Sequence, residues 1–133
     1  MYPAVMQAVT GKALDSLEAE ASGVERFAVR EAVFPGAIAT GEGSTRGRLY
    51  PGVDDRTLAR LDRFEGDLYE RRTIEVLPAG GRTERAEAWI VLPSEVAQLA
   101  SAPWDEEEFL REHLERYLRM CRSFLEEDRR LYD

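Results

Sequence analysis

The stretch Phe64-Glu65-Gly66-Asp67-Leu68-Tyr69-Glu70-Arg71 constrains this chain more than any other. Ahead of it, Leu58, Leu61 and Phe64 recur on one face behind Asp54, which predicts a short amphipathic helix over 54–64 capped by Asp54. A strand is expected from about Arg72. The helix must therefore stop and turn within a few residues, and Gly66 suits a sharp left-handed exit. Glu65 then stands at the carbonyl end of the helix, where a carboxylate opposes the peptide dipole by about 0.3–1 kcal/mol. A local rule broken at a tight turn between two elements marks a candidate functional group. Burial would raise the pKa of Glu65 further, towards the range a general base needs.

The rest of the chain supplies elements to either side. Pro3 to Leu14 carries Val5, Met6, Val9, Ala13 and Leu14 at helical spacing, with Pro near the start and Gly11 weakening the pattern. Ser16 to Ser22 reads as a small acidic connection. Strands are expected at Val24–Arg30, at Val33–Thr40 interrupted by Pro35-Gly36, and at Arg46–Tyr50, with Gly41 to Thr45 as a turn. Arg72–Leu77 and Glu84–Leu92 predict a hairpin around Ala79-Gly80-Gly81-Arg82. A long helix starts near Asp105, with Glu108 placed for a capping box. Its apolar stripe is Phe109, Leu110, Leu114, Tyr117, Leu118, Cys121, Phe124 and Leu125. Helix, strands, helix, hairpin and helix in that order predict an α+β fold, with 1–133 as a single domain.

Charge and composition narrow the function. With 26 acids against 18 bases the net charge is -8, which argues against a nucleic-acid or anionic-membrane surface. No apolar run reaches membrane-spanning length. Cys121 and His113 are the sole cysteine and histidine, so neither an internal disulfide nor a Cys/His zinc cluster is available, and no metal or cofactor is expected. The single cysteine fits a cytoplasmic protein.

Several patterns have ordinary explanations. Gly41-x-Gly43-Ser44-Thr45 lacks the Gly-Lys-Ser/Thr ending of a phosphate loop. Asp54-Asp55 and Glu106 to Glu108 suit helix starts, where negative charge is favourable. His113 has no partner ligands, and Cys121 falls on the apolar stripe as a small core residue. Arg71-Arg72 and Arg129-Arg130 read as solvated, although Arg71 is close in sequence to Glu65.

Phe34-Pro35-Gly36, Gly47-Arg48-Leu49-Tyr50 and the run from Leu58 to Arg71, in that order, resemble the gamma-glutamylcyclotransferase-like family, including its plant avirulence-induced-protein-like branch. The likeness spans about Tyr2 to Leu92, and the last run is its most specific part. It implies a small mixed β-barrel over about 1–92, flanked by helices, with the C-terminal helix over about 105–128. It also implies a reaction in which a γ-glutamyl amide cyclises to 5-oxoproline and releases an amine. The family's catalytic carboxylate falls on Glu65. Met1, Gly36, Tyr69 and Arg71 are the expected substrate-binding positions.

One departure qualifies that expectation. The family opens with a strand ending in Tyr-Gly-Ser/Thr, whose loop amides cradle the substrate; here Met1 falls at the loop's last position. A chain lacking that strand is expected to show an unpaired barrel edge, poor solubility, strand exchange or no catalysis; a start assigned too late is the simplest account. The alternative function is an inactive relative that binds a small ligand or a protein. The C-terminal stripe would then serve a homodimer, although packing on the barrel is its more ordinary use.

Overall fold

A computed structural model describes residues 1–133. The chain runs α1 (Pro3–Thr10), β1 (Leu17–Val29), β2 (Pro35–Leu49), α2 (Asp55–Glu65), β3 (Tyr69–Pro78), β4 (Glu84–Val91), β5 (Leu99–Pro103), α3 (Glu106–Glu108) and α4 (Leu114–Tyr132). 3₁₀ helices of one and two turns lie at Gly66–Leu68 and Pro93–Gln98. A wide π turn, Phe109–His113, joins α3 to α4. The α+β class and the long C-terminal helix agree with the sequence reading. No helix is long and apolar enough to cross a membrane.

The strands follow the order β2-β1-β3-β4, with β5 on β1, and every pairing is antiparallel. No ladder joins the outer strands β2 and β4, yet their side chains share an interior: Ala21, Val24, Val76 and Ile90 are buried together, with Ala37 and Leu49 against them. The sheet is thus an incompletely closed barrel. β1 meets β3 only at Ala19–Pro78 and Glu20–Leu77, and the two strands pair no further along.

Two expectations fail in β1 and β2. Ser16 to Ser22 is not a connection and Gly41 to Thr45 is not a chain reversal. Both lie in one long ribbon whose pairs run from Leu17–Leu49 to Ala28–Pro35. Glu18 faces Arg48 at 3.9 Å and Glu20 stands opposite Arg46, so opposite charges face each other across a segment that carries little apolar alternation. The glycines mark a bulge instead. The register jumps between Ser22–Ser44 and Val24–Ala39, and Gly41 and Gly43 take positive φ in the extra residues.

The helices form their own cluster. Val5, Met6, Ala8 and Val9 of α1 pack with Leu61 of α2 and Cys121 of α4. Burial ends with Thr10, and α1 stops at Gly11 rather than at Leu14. Asp54 caps α2 as expected, accepting the Thr57 N–H at 2.8 Å. Asp105 does the same for Glu108 at 3.0 Å. The π turn corrects the stripe of the last helix. A regular helix would carry Leu110 inward with Leu114 and Cys121, but Leu110 is 44% exposed, while Phe109 of the same stripe is buried. The Leu114 N–H reaches back five residues to the Phe109 carbonyl. Such a wide turn delays the helical phase by about one residue.

Candidate active site

α2 ends on Glu65. Its cap residue Gly66 has φ 72° and ψ −155°, and the Gly66 N–H closes on the Asp62 carbonyl. That backbone region is essentially confined to glycine. The chain then makes one 3₁₀ turn, pinned by the Leu92 N–H to the Leu68 carbonyl at 3.0 Å, and enters β3 at Tyr69, three residues before the expected Arg72. The Tyr69 hydroxyl donates to the Pro35 carbonyl at 2.7 Å, tying the start of β3 to the start of β2. Glu65 is therefore held between the helical cluster, through Phe64, and the cluster of Val29, Val91 and Leu99, through Tyr69.

Desolvation lifts the Glu65 carboxyl from 4.5 to about 7, partly offset by the positive charge of the Met1 amine. The effects are mutual. Burial lowers the pKa of the Met1 amine while the Glu65 charge acts to raise it. Burial raises the Tyr69 and Tyr117 phenols, and the Glu65 charge adds to both. Met1, Tyr69 and Tyr117 therefore lie within electrostatic reach of one carboxyl. No hydrogen bond contributes to the shift at Glu65, and no buried polar side-chain atom is left unpartnered, so its oxygens are not wholly sealed from solvent. A desolvated carboxyl without a protein hydrogen bond can take a proton from a bound molecule and return it.

The other expected positions fall at different distances from this centre. The Met1 carbonyl accepts the Tyr50 hydroxyl at 2.7 Å while its amine lies in the field of Glu65. Tyr69 flanks Glu65. Gly36 is buried beneath Leu99, Val91 and Val29; a Cβ there would lie 2.7 Å from Leu99 Cδ2 and 2.9 Å from Val91 Cγ2. It is a packing glycine in the wall beside Tyr69. Arg71 sits one step further along β3, its Nε 2.8 Å from Glu87 Oε2 and 3.6 Å from Asp62 Oδ1. Its charge is thus engaged by two carboxylates, and it adds nothing to the shift of Glu65.

Two features escaped sequence reading. Tyr117, which reads as one more core residue of the stripe, packs edge-on against Phe64, the residue before Glu65, with its phenol in reach of the Glu65 charge. Asp128, 3% exposed, accepts Arg60 Nε at 2.7 Å and Arg63 Nε at 2.7 Å, locking α4 to the last turns of α2. Its signal was an acid at a stripe position, one turn past Phe124 and Leu125 and two turns past Cys121.

Residues 1–109 match the sequence model of the family described as "Gamma-glutamyl cyclotransferase, AIG2-like", and the chain belongs to that family. It is similar to AIG2-like protein C of Arabidopsis thaliana, 28% identical over 127 residues, covering 96% of this chain and 74% of the relative. AIG2-like protein D of Arabidopsis thaliana is 30% identical over 104 residues, covering 77% and 68% respectively. Among solved structures, the solution structure of one Arabidopsis thaliana protein superposes with TM-score 0.68 at 25% identity, over 97% of this chain and 78% of the other. A second from Arabidopsis thaliana gives 0.66 at 20% identity, over 94% and 84%, and speaks for the fold alone.

Proposed function

We propose that the protein is a γ-glutamyl cyclotransferase with Glu65 as its general acid and base. The observation that carries this reading is the Glu65 carboxyl itself: desolvated, raised to about 7 and free of protein hydrogen bonds. The substrate's own α-amine attacks its γ-carbonyl carbon, so nucleophile and target arrive tethered and proximity supplies much of the rate. The new C–N bond closes the five-membered ring as Glu65 takes a proton from the amine. The γ-amide C–N bond then breaks, Glu65 returns the proton to the departing nitrogen, and 5-oxoproline and a free amine leave. No water is consumed and no metal or cofactor takes part.

The magnitude of the shift favours that role. A free α-amine titrates at about 7.7–8.0, so an ordinary glutamate would take its proton at a cost of about 4–5 kcal/mol. At about 7 the gap shrinks to about 1 kcal/mol. Acid–base help of this kind contributes about 10²–10⁴-fold. The test is to incubate the chain with a γ-glutamyl dipeptide or γ-glutamylamine and measure 5-oxoproline, with Glu65→Gln in parallel. Loss of product in the variant supports the reading; equal turnover removes Glu65 from it. Ligand binding without product from the wild type would point to a binding module.

A further inference from the structure

Two phenols lie within electrostatic reach of Glu65, and they differ in one respect. The Tyr69 hydroxyl is committed to the Pro35 carbonyl at 2.7 Å. The Tyr117 ring is fixed on three sides, 6.4 Å from Phe34, 6.4 Å edge-on to Phe64 and 5.5 Å edge-on to Phe109, measured between ring centres. Phe64 precedes Glu65, and Phe34 precedes the Pro35 that holds Tyr69, so the ring is wedged between the two segments that carry the site. Its hydroxyl takes part in no hydrogen bond, yet it is not sealed from solvent. A rigidly packed ring bearing an unused donor, set against the residue that precedes the proposed base, is arranged to meet a molecule bound at that base.

The π turn explains how this ring reaches the site. In a regular α-helix, residue i+8 lies about 80° around from residue i. A turn delayed by one residue brings it within about 20°. Phe109 and Tyr117 are eight apart and share one face because the turn lies between them. Phe109 is the last residue of the family match, so Tyr117 comes from a part of the chain that the match does not reach.

We infer that the Tyr117 hydroxyl donates a hydrogen bond to the γ-carbonyl oxygen of the substrate and stabilises the negative charge that gathers there as the ring closes. This rests on the cyclotransferase reading above. The geometry of the reaction selects that oxygen. The attacking nitrogen, the leaving nitrogen and the oxyanion share one tetrahedral carbon, so a donor next to the base that serves both nitrogens also stands next to the oxyanion. The α-carboxylate of the substrate lies further along its carbon chain. Burial and the Glu65 charge both hold the phenol in its neutral form, so it remains a donor across the working pH range.

The test is Tyr117→Phe, which keeps the packed ring and removes only the donor. Steady-state kinetics of 5-oxoproline release should show kcat lowered about 10²-fold, the usual loss for one oxyanion donor, with KM within about twofold of wild type. The melting temperature should stay within a few degrees, because the hydroxyl bonds to nothing in the protein. A kcat within about threefold of wild type, a loss expressed wholly in KM, or a variant without a cooperative melting transition each overturns the inference while leaving the Glu65 role standing. A wild-type chain that releases no 5-oxoproline overturns the parent reading, and this inference with it.

Discussion

Arg63 and Asp128 meet through two bonds, Nε to Oδ1 at 2.7 Å and Nη2 to Oδ2 at 2.8 Å, two residues before Glu65. Asp128 also takes Arg60, whose side chain is 8% exposed and which holds Asp133 as well. Removing the shared carboxylate with Asp128→Ala leaves Arg60 buried with one weaker partner. Breaking such a pair costs about 3–5 kcal/mol, and the surviving Asp133 contact argues for about 3. Urea denaturation of the variant checks this. The arginines hold the Asp128 pKa below its usual value. Its contribution is therefore complete above the unfolded pKa near 3.8 and fades as pH falls through the lower folded value.

Glu65 has the opposite linkage. Its folded pKa, about 7, lies above the unfolded 4.5, so between those values the folded state binds more protons. Stability should fall as pH rises from about 4.5 to about 7 and then level off. Glu65→Gln removes that dependence and should melt higher than wild type at pH 8, by a few degrees. Melting curves of the two proteins at pH 5 and pH 8 decide the matter: the gap between them should open only at the higher pH.

Gly66→Ala isolates a backbone effect. Nothing lies within 4 Å of the added Cβ, so no clash contributes. The cost is that of forcing alanine into φ 72°, ψ −155°, about 1–3 kcal/mol. Because the strain sits one residue after Glu65, 5-oxoproline release should drop by more than the lost stability explains, measured well below the melting temperature.

Cys121 is fully buried, and desolvation pushes its thiol up to about 11. A thiol-specific reagent at pH 8 should label the folded protein far more slowly than the same chain in denaturant. Rapid labelling under native conditions would mean that α4 leaves the helical cluster in solution.

The sequence shows α2 plainly because cap, apolar spacing and stop glycine all agree, and Glu65 stands out where they meet. The β1–β2 ribbon is harder to read, since Glu18 and Glu20 meet their opposite residues Arg48 and Arg46 from 26 to 30 residues away in sequence. β5 is missed for a related reason: Leu99–Pro103 is short, and its partners Phe27 and Val29 are distant. The π turn has no local signal, so the stripe counts Leu110 together with Phe109, and only Phe109 turns out buried. Tyr117 keeps its place on the stripe, but only the surrounding rings from three other segments single out its hydroxyl.

The central claim is that Glu65 moves the proton during ring closure, and the direct measurement is the pH dependence of kcat/KM for 5-oxoproline release. The account predicts an acid limb near pH 7 in the wild type, where Glu65 ionises, with Glu65→Gln reduced at least about 10²-fold at every pH. A rate that is flat from pH 5 to pH 8, or a Gln variant as fast as the wild type, would contradict it.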